Sequence, residues 1–95
     1  MKIQIGKKLY IRQIHKLIHL NLGLIKSFKA DLYDIEHDNF PDDDYFRQES
    51  IRTMLVISDS KDLDQHEAWL KNKIKELENN NRELVRLIMN LEKGE

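Results

Sequence analysis

Apolar residues along this chain recur at intervals of three and four, the spacing that gathers side chains on one face of an α-helix. In the first third, Tyr10, Ile14, Leu17, Leu24, Phe28 and Ile35 form one such row. Ile11, Ile18, Leu22, Ile25 and Leu32 form a second beside it. Together they predict a long helix over residues 7–37 with an apolar stripe wide enough to need cover from two sides, as in a bundle. Gly23 costs about 1 kcal/mol relative to Ala inside a helix, so a close helix contact or a bend is expected there. The alternation Ile3, Ile5, Leu9, Ile11 also fits a short hairpin. Two strands alone are marginal, and a frayed helix start is the preferred reading.

The run Asp38-Asn39-Phe40-Pro41-Asp42-Asp43-Asp44 ends this pattern. A residue before Pro avoids the helical region, and the aspartates suit the cap and first turn of a following helix. That helix is expected over residues 43–57, with Phe46, Ile51, Met54, Leu55 and Ile57 turned inward. Ser58-Asp59-Ser60-Lys61-Asp62 supplies further capping residues, and a third helix follows over 62–93, with Gly94 as its C-terminal cap. The expected fold is all-α: one helical domain over residues 1–95, long-short-long, associating as a helical-bundle or coiled-coil dimer.

The last segment carries the clearest pattern. Leu63, Leu70, Leu77, Leu84 and Leu91 fall seven apart, as the d positions of a heptad, and Glu67, Ile74, Asn81 and Ile88 occupy the a positions. Ile at a, Leu at d and a single Asn at a suit a two-stranded parallel coiled coil. The segment resembles a leucine zipper. A zipper transcription factor carries a basic region just upstream, whereas residues 53–67 here are acidic, so the resemblance implies association without DNA binding. Asn79-Asn80-Asn81 reads as a turn or as helix, and the leucines stay in phase through it, which favours helix. Val85 and Leu87 at e and g widen the face as a bundle helix would. The expected self-association residues are Leu63, Leu70, Ile74, Leu77, Asn81, Leu84, Ile88 and Leu91.

Length points the same way. A helix of ~30 residues is ~45 Å long, against a diameter of ~32 Å for a compact domain of this size. Two such helices in a hairpin leave apolar surface that a short helix cannot cover. A homodimer is the first expected partner and a second protein the next.

Composition narrows the functions. Hydrophobic residues make up 40% of the chain and charged residues 35%, a globular balance rich in charge. The absence of Cys excludes a disulfide scaffold, a thiolate zinc site and a cysteine nucleophile together. No apolar run approaches the ~20 residues of a membrane span. The basic start lacks the unbroken apolar core of a secretory signal, so a cytoplasmic location is expected. The Ile, Lys, Asn and Asp bias with little Ala points to an AT-rich coding sequence, of the kind found in low-GC bacteria and their phages.

The net charge of −1 conceals a strong asymmetry. Residues 1–29 hold seven Lys or Arg and no acid, whereas residues 30–67 hold twelve acids against Arg47, Arg52 and Lys61. The expected arrangement lays the two segments antiparallel so that they neutralise each other. The runner-up function, a nucleic-acid or acidic-partner contact, would use Lys8, Arg12 and Lys16, which align at four-residue spacing.

Motifs for chemistry are weak. His15 and His19 have a spacing that can share a metal, but Lys16 stands where a zinc protease needs Glu, and no third ligand follows. Asp34 and His37 repeat a spacing used in di-metal bundles, without the inward carboxylates those sites require. Asp38 to Glu49 has the length of an EF-hand loop, yet Phe40 and Asp43 occupy its third and sixth positions. Arg12 and His19, six residues apart, resemble the catalytic pair of HEPN-type ribonucleases, and that resemblance implies RNA cleavage as a third reading. The long-short-long layout is similar to the helical chorismate mutases, whose pocket cations have no counterpart here. Trp69, at a c position, is expected to pack under the second helix. The sequence therefore predicts a non-enzymatic, self-associating regulatory or adaptor module with no cofactor and no metal site.

Overall fold

The computed structural model describes the backbone of residues 2–94 and the side chains of residues 6–94. Three helices follow in order: α1 (Lys2–Glu36), α2 (Asp44–Ser58) and α3 (Leu63–Lys93). Helix α1 begins five residues before the predicted start, which removes the hairpin alternative. The other boundaries lie within one residue of expectation, and α3 runs unbroken through Asn79-Asn80-Asn81.

Local chemistry places the breaks. The Asp43 carboxylate accepts from the N–H groups of Tyr45 and Phe46 at 2.9 and 3.2 Å, and Asp62 accepts from Gln65 N–H at 2.9 Å. Each satisfies donors that the first turn of a helix leaves without partners. Helices α1 and α2 close alike. Asp38 and Asp59 sit in the left-handed region at φ 49° and 51°, and the next N–H reaches back to the carbonyl of Asp34 and of Leu55. Asp tolerates this conformation better than most residues with a Cβ. Gly94 closes α3 through its N–H to Asn90 O without entering that region. Arg47 pairs with Asp38 and lies over the Phe40 ring, tying the first loop to α2.

Helices α1 and α3 pack antiparallel along most of their length, and α2 lies against α3 near the turn end. The result is a rod of 62 × 21 × 19 Å with a radius of gyration of 18.5 Å, against about 12 Å for a compact domain of this length. Its core is a single layer. Ile14 and Ile25 of α1 and Leu70, Ile74 and Ile88 of α3 are its buried apolar side chains among the described residues.

The seam on α1 draws on both predicted rows. Ile11, Ile14, Ile18, Asn21, Ile25, Phe28, Leu32 and Ile35 alternate steps of three and four and are all buried or half-buried. This is the a/d pattern of a coiled coil. Because one partner helix covers one seam, Tyr10, Leu17 and Leu24 from the first row and Leu22 from the second stay exposed. Gly23 marks neither a close contact within the chain nor a break: α1 continues through it, and a Cβ there would meet nothing within 4 Å.

Candidate functional site

The leucine heptad of α3 is occupied from within the chain. Leu70, Ile74, Asn81 and Ile88 are buried against α1, while Leu63, Leu77, Leu84 and Leu91 are half-buried. Asn81 meets Asn21 of the same chain, where a zipper dimer would set it against its own twin. Asn21 Nδ2 donates to Asn81 Oδ1 at 2.9 Å, and Asn81 Nδ2 donates to Ile18 O at 3.4 Å. One polar layer in an apolar seam is satisfied in one register only, so the pair fixes how α1 and α3 align. The missed signal was Asn21 itself, the polar break in a 3-4 row of Ile, Phe and Leu.

With the seam set, each long helix divides into faces. On α1, the e, b and f positions carry Lys8, Arg12, Lys16, Lys26 and Lys29. The opposite g and c flank carries Tyr10, Gln13, Leu17, Leu20, Leu24, Ser27, Asp31 and Asp34, with no cation. Leu17, Leu20 and Tyr10 are 49%, 60% and 47% exposed. Two open grooves run beside the seam. On the flank where α1 carries no cation, Leu17, Asn21, Leu84 and Leu87, with Asn80 and Glu83, line a groove of about 560 Å³. On the other, Ile18, Leu22, Ile25 and Val85 floor a groove of about 860 Å³ rimmed by Lys29, Glu78, Arg82 and Arg86. Lys29 and Glu78 are 3.6 Å apart and link α1 to α3.

A second cluster lies near the turn end, and the sequence reading passed over it. His66 is 1% exposed, and its Nδ1 shares a hydrogen bond of 2.6 Å with Ser58 Oγ, which also bonds Ser60 Oγ. His66 Nε2 is buried without a partner. Burial pushes the imidazole below its ordinary range, and the nearby Asp31 charge pulls it partly back. Asp31 in turn is raised, first by burial and then by repulsion from Asp34, with His66 opposing. Trp69 stacks against His66 at 5.7 Å and meets Phe28 of α1 edge-on at 5.5 Å. A His between Gln65 and Glu67 at a helix start gave no periodic clue to burial, because the contact with Ser58 is made by the turn.

The remaining candidates stay apart. Lys8, Arg12 and Lys16 project from the exposed face of α1, and among the described residues no acid pairs with them. His15, His19 and Arg12 are exposed on α1, and none of them lines either groove. Asp34 accepts from Asn39 Nδ2 at 2.8 Å, and His37 stacks on Tyr33 while its Nδ1 donates to Tyr33 O, so both close the end of α1. Among the described residues, no three His, Asp or Glu gather as a metal site needs. No helix there is long and apolar enough to cross a membrane.

The charge segments do not neutralise each other. The basic part of α1 packs against α3, and by sequence residues 73–95 hold five cations and five acids. The acidic segment folds back on itself through α2. By sequence, residues 1–29 together with 73–95 sum to +7, and residues 30–72, with twelve acids and four cations, sum to −8. No family model, curated protein or solved structure matches this chain.

Proposed function

We propose that this protein is a non-enzymatic helical interaction module that self-associates through its long helices and serves as a regulatory or adaptor element. The observation that carries this reading is surface area. The chain exposes 7519 Å², about 1,700 Å² more than the roughly 5,800 Å² of a compact 11.4 kDa monomer. A stable interface takes roughly 800 Å² from each partner, so the excess suffices. The excess is also apolar in the right place, with Leu17, Leu20 and Leu24 in a row on one side of the seam and Leu22 on the other. Because the heptad of α3 is occupied by α1, association falls to the flanks of the hairpin.

The test is mass by light scattering across a hundredfold dilution, with helicity checked by circular dichroism. The expected result is a dimer that Leu20→Glu dissociates without loss of helix. A wild-type monomer at every concentration would overturn the reading. The second reading, nucleic-acid contact by Lys8, Arg12 and Lys16, draws on their exposure without acidic partners. It predicts an affinity for duplex that falls steeply with salt and with Arg12→Ala.

A further inference from the structure

We infer that the flank of α1 formed by Tyr10, Leu17, Leu20 and Leu24 is covered by a second copy of this chain laid antiparallel to the first; this rests on the self-association proposed above. Three features of the molecule converge on it. First, this flank carries no cation on α1: Gln13 is the polar residue between Tyr10 and Leu24, Ser27, Asp31 and Asp34 follow toward the turn end, and Leu84 and Leu87 of α3 continue it across a groove that Asn80 and Glu83 also line. The other flank holds Leu22 and Val85 beneath a rim of Lys29, Glu78, Arg82 and Arg86, whose desolvation would oppose burial.

Second, the stripe is centred for full overlap. Leu17 is the midpoint of Tyr10–Leu24 and lies two residues from residue 19, the middle of α1. A two-fold axis near Leu17 sets Tyr10 across from the partner's Leu24, and it superposes the two rods almost end to end. An isologous contact of this kind uses one patch on both copies. Third, charge selects the direction. Residues 1–29 with 73–95 sum to +7, and residues 30–72, toward the turn end, sum to −8. Antiparallel overlap about Leu17 faces each residue of α1 with the partner's residue at 34 minus its number, so Asp31 and Asp34 approach the partner's Lys-rich start while the central residues of the two copies face one another. Parallel overlap sets like charges together along the whole length, which costs energy at separations inside the screening length of ~8–10 Å.

The absence of Cys makes the test direct. Ala30→Cys and Asn72→Cys place single spin labels on exposed positions in the acidic half, away from the flank. In an antiparallel dimer centred on Leu17, Ala30 and its twin are separated by about 40 Å along the axis at 1.5 Å per residue. In a parallel dimer they are separated only by the width of the pair, about 20 Å. Electron–electron distance measurement on each labelled variant, with light scattering on the same samples, is expected to give the long separation in a dimer. Leu20→Glu is expected to weaken association more than tenfold, Leu22→Glu less than threefold, and higher salt should raise the dissociation constant.

Short separations in an intact dimer would overturn the antiparallel inference while leaving self-association in place. Dissociation by Leu22→Glu but not by Leu20→Glu would overturn the choice of flank. A monomer throughout would overturn both readings.

Discussion

The Asn21–Asn81 pair offers a quantitative test of the packing, because it ties residues 60 positions apart through a single short hydrogen bond. Asn81 is 9% exposed and Asn21 half-buried, so water replaces a lost partner poorly on the α3 side and only in part on the α1 side. Asn81→Ala removes both of its bonds and strands the Asn21 amide. A stranded, partly buried donor costs about 1–3 kcal/mol, and the higher helix propensity of Ala returns roughly half a kcal/mol. The expected net loss is about 1.5 kcal/mol. Asn21→Ala strands the more deeply buried Asn81 carbonyl oxygen and should cost as much. In the double variant neither amide is stranded, so the combined loss should fall short of the sum by about 1 kcal/mol. Urea unfolding at one fixed protein concentration measures all four corners of the cycle; the concentration matters because association adds to apparent stability. Additive losses, within about 0.4 kcal/mol, would refute the pairing. They would return Asn81 to the role the zipper pattern suggested, facing its twin in a second chain. The apolar replacement Asn21→Ile with Asn81→Ile should raise stability while loosening the register, which would appear as heterogeneous mass or broadened amide resonances.

Two further predictions concern the hairpin itself. Gly23 lies on the exposed face of α1 with open space where a Cβ would stand, so Gly23→Ala should stabilise by about 1 kcal/mol and raise Tm by about 4–8 °C; an unchanged or lower Tm would show that this face is covered. His66, lowered by burial, contributes stability that is complete above the unfolded imidazole value of about 6.5 and is lost as pH falls through it. Asp31, raised by burial, acts in the opposite sense, since the cost of its buried charge lifts as pH falls toward its own folded value. Tm should therefore fall from about pH 7.5 to about 5.5, and His66→Gln should reduce that fall; equal falls in both proteins would remove His66 as the source.

The sequence by itself determined the secondary structure and the class of fold. Steps of three and four between apolar residues, the aspartates before α2 and α3, and Pro41 act over a few residues, within reach of one helical turn. The three helices therefore stand close to where the pattern placed them. The same information set the length of the helices, and with it a rod instead of a globule. What the sequence could not decide was pairing. The two apolar rows of α1 look equally fit for burial, and only the apposition of α3 selected Ile11, Ile14, Ile18 and Ile25 for the seam and left Tyr10, Leu17 and Leu24 outside. The zipper heptad of α3 reads alike whether its partner is another chain or α1, because an a/d face states only that a helix lies opposite. Asn21 acquired meaning only once Asn81 lay across from it, and His66 only once the turn brought Ser58 to it. The charge segments separated along the rod instead of cancelling because α2 folds back near α3 and keeps the acids at one end. These outcomes depend on contacts between residues far apart in sequence, whose energies are set by geometry that no local spacing encodes.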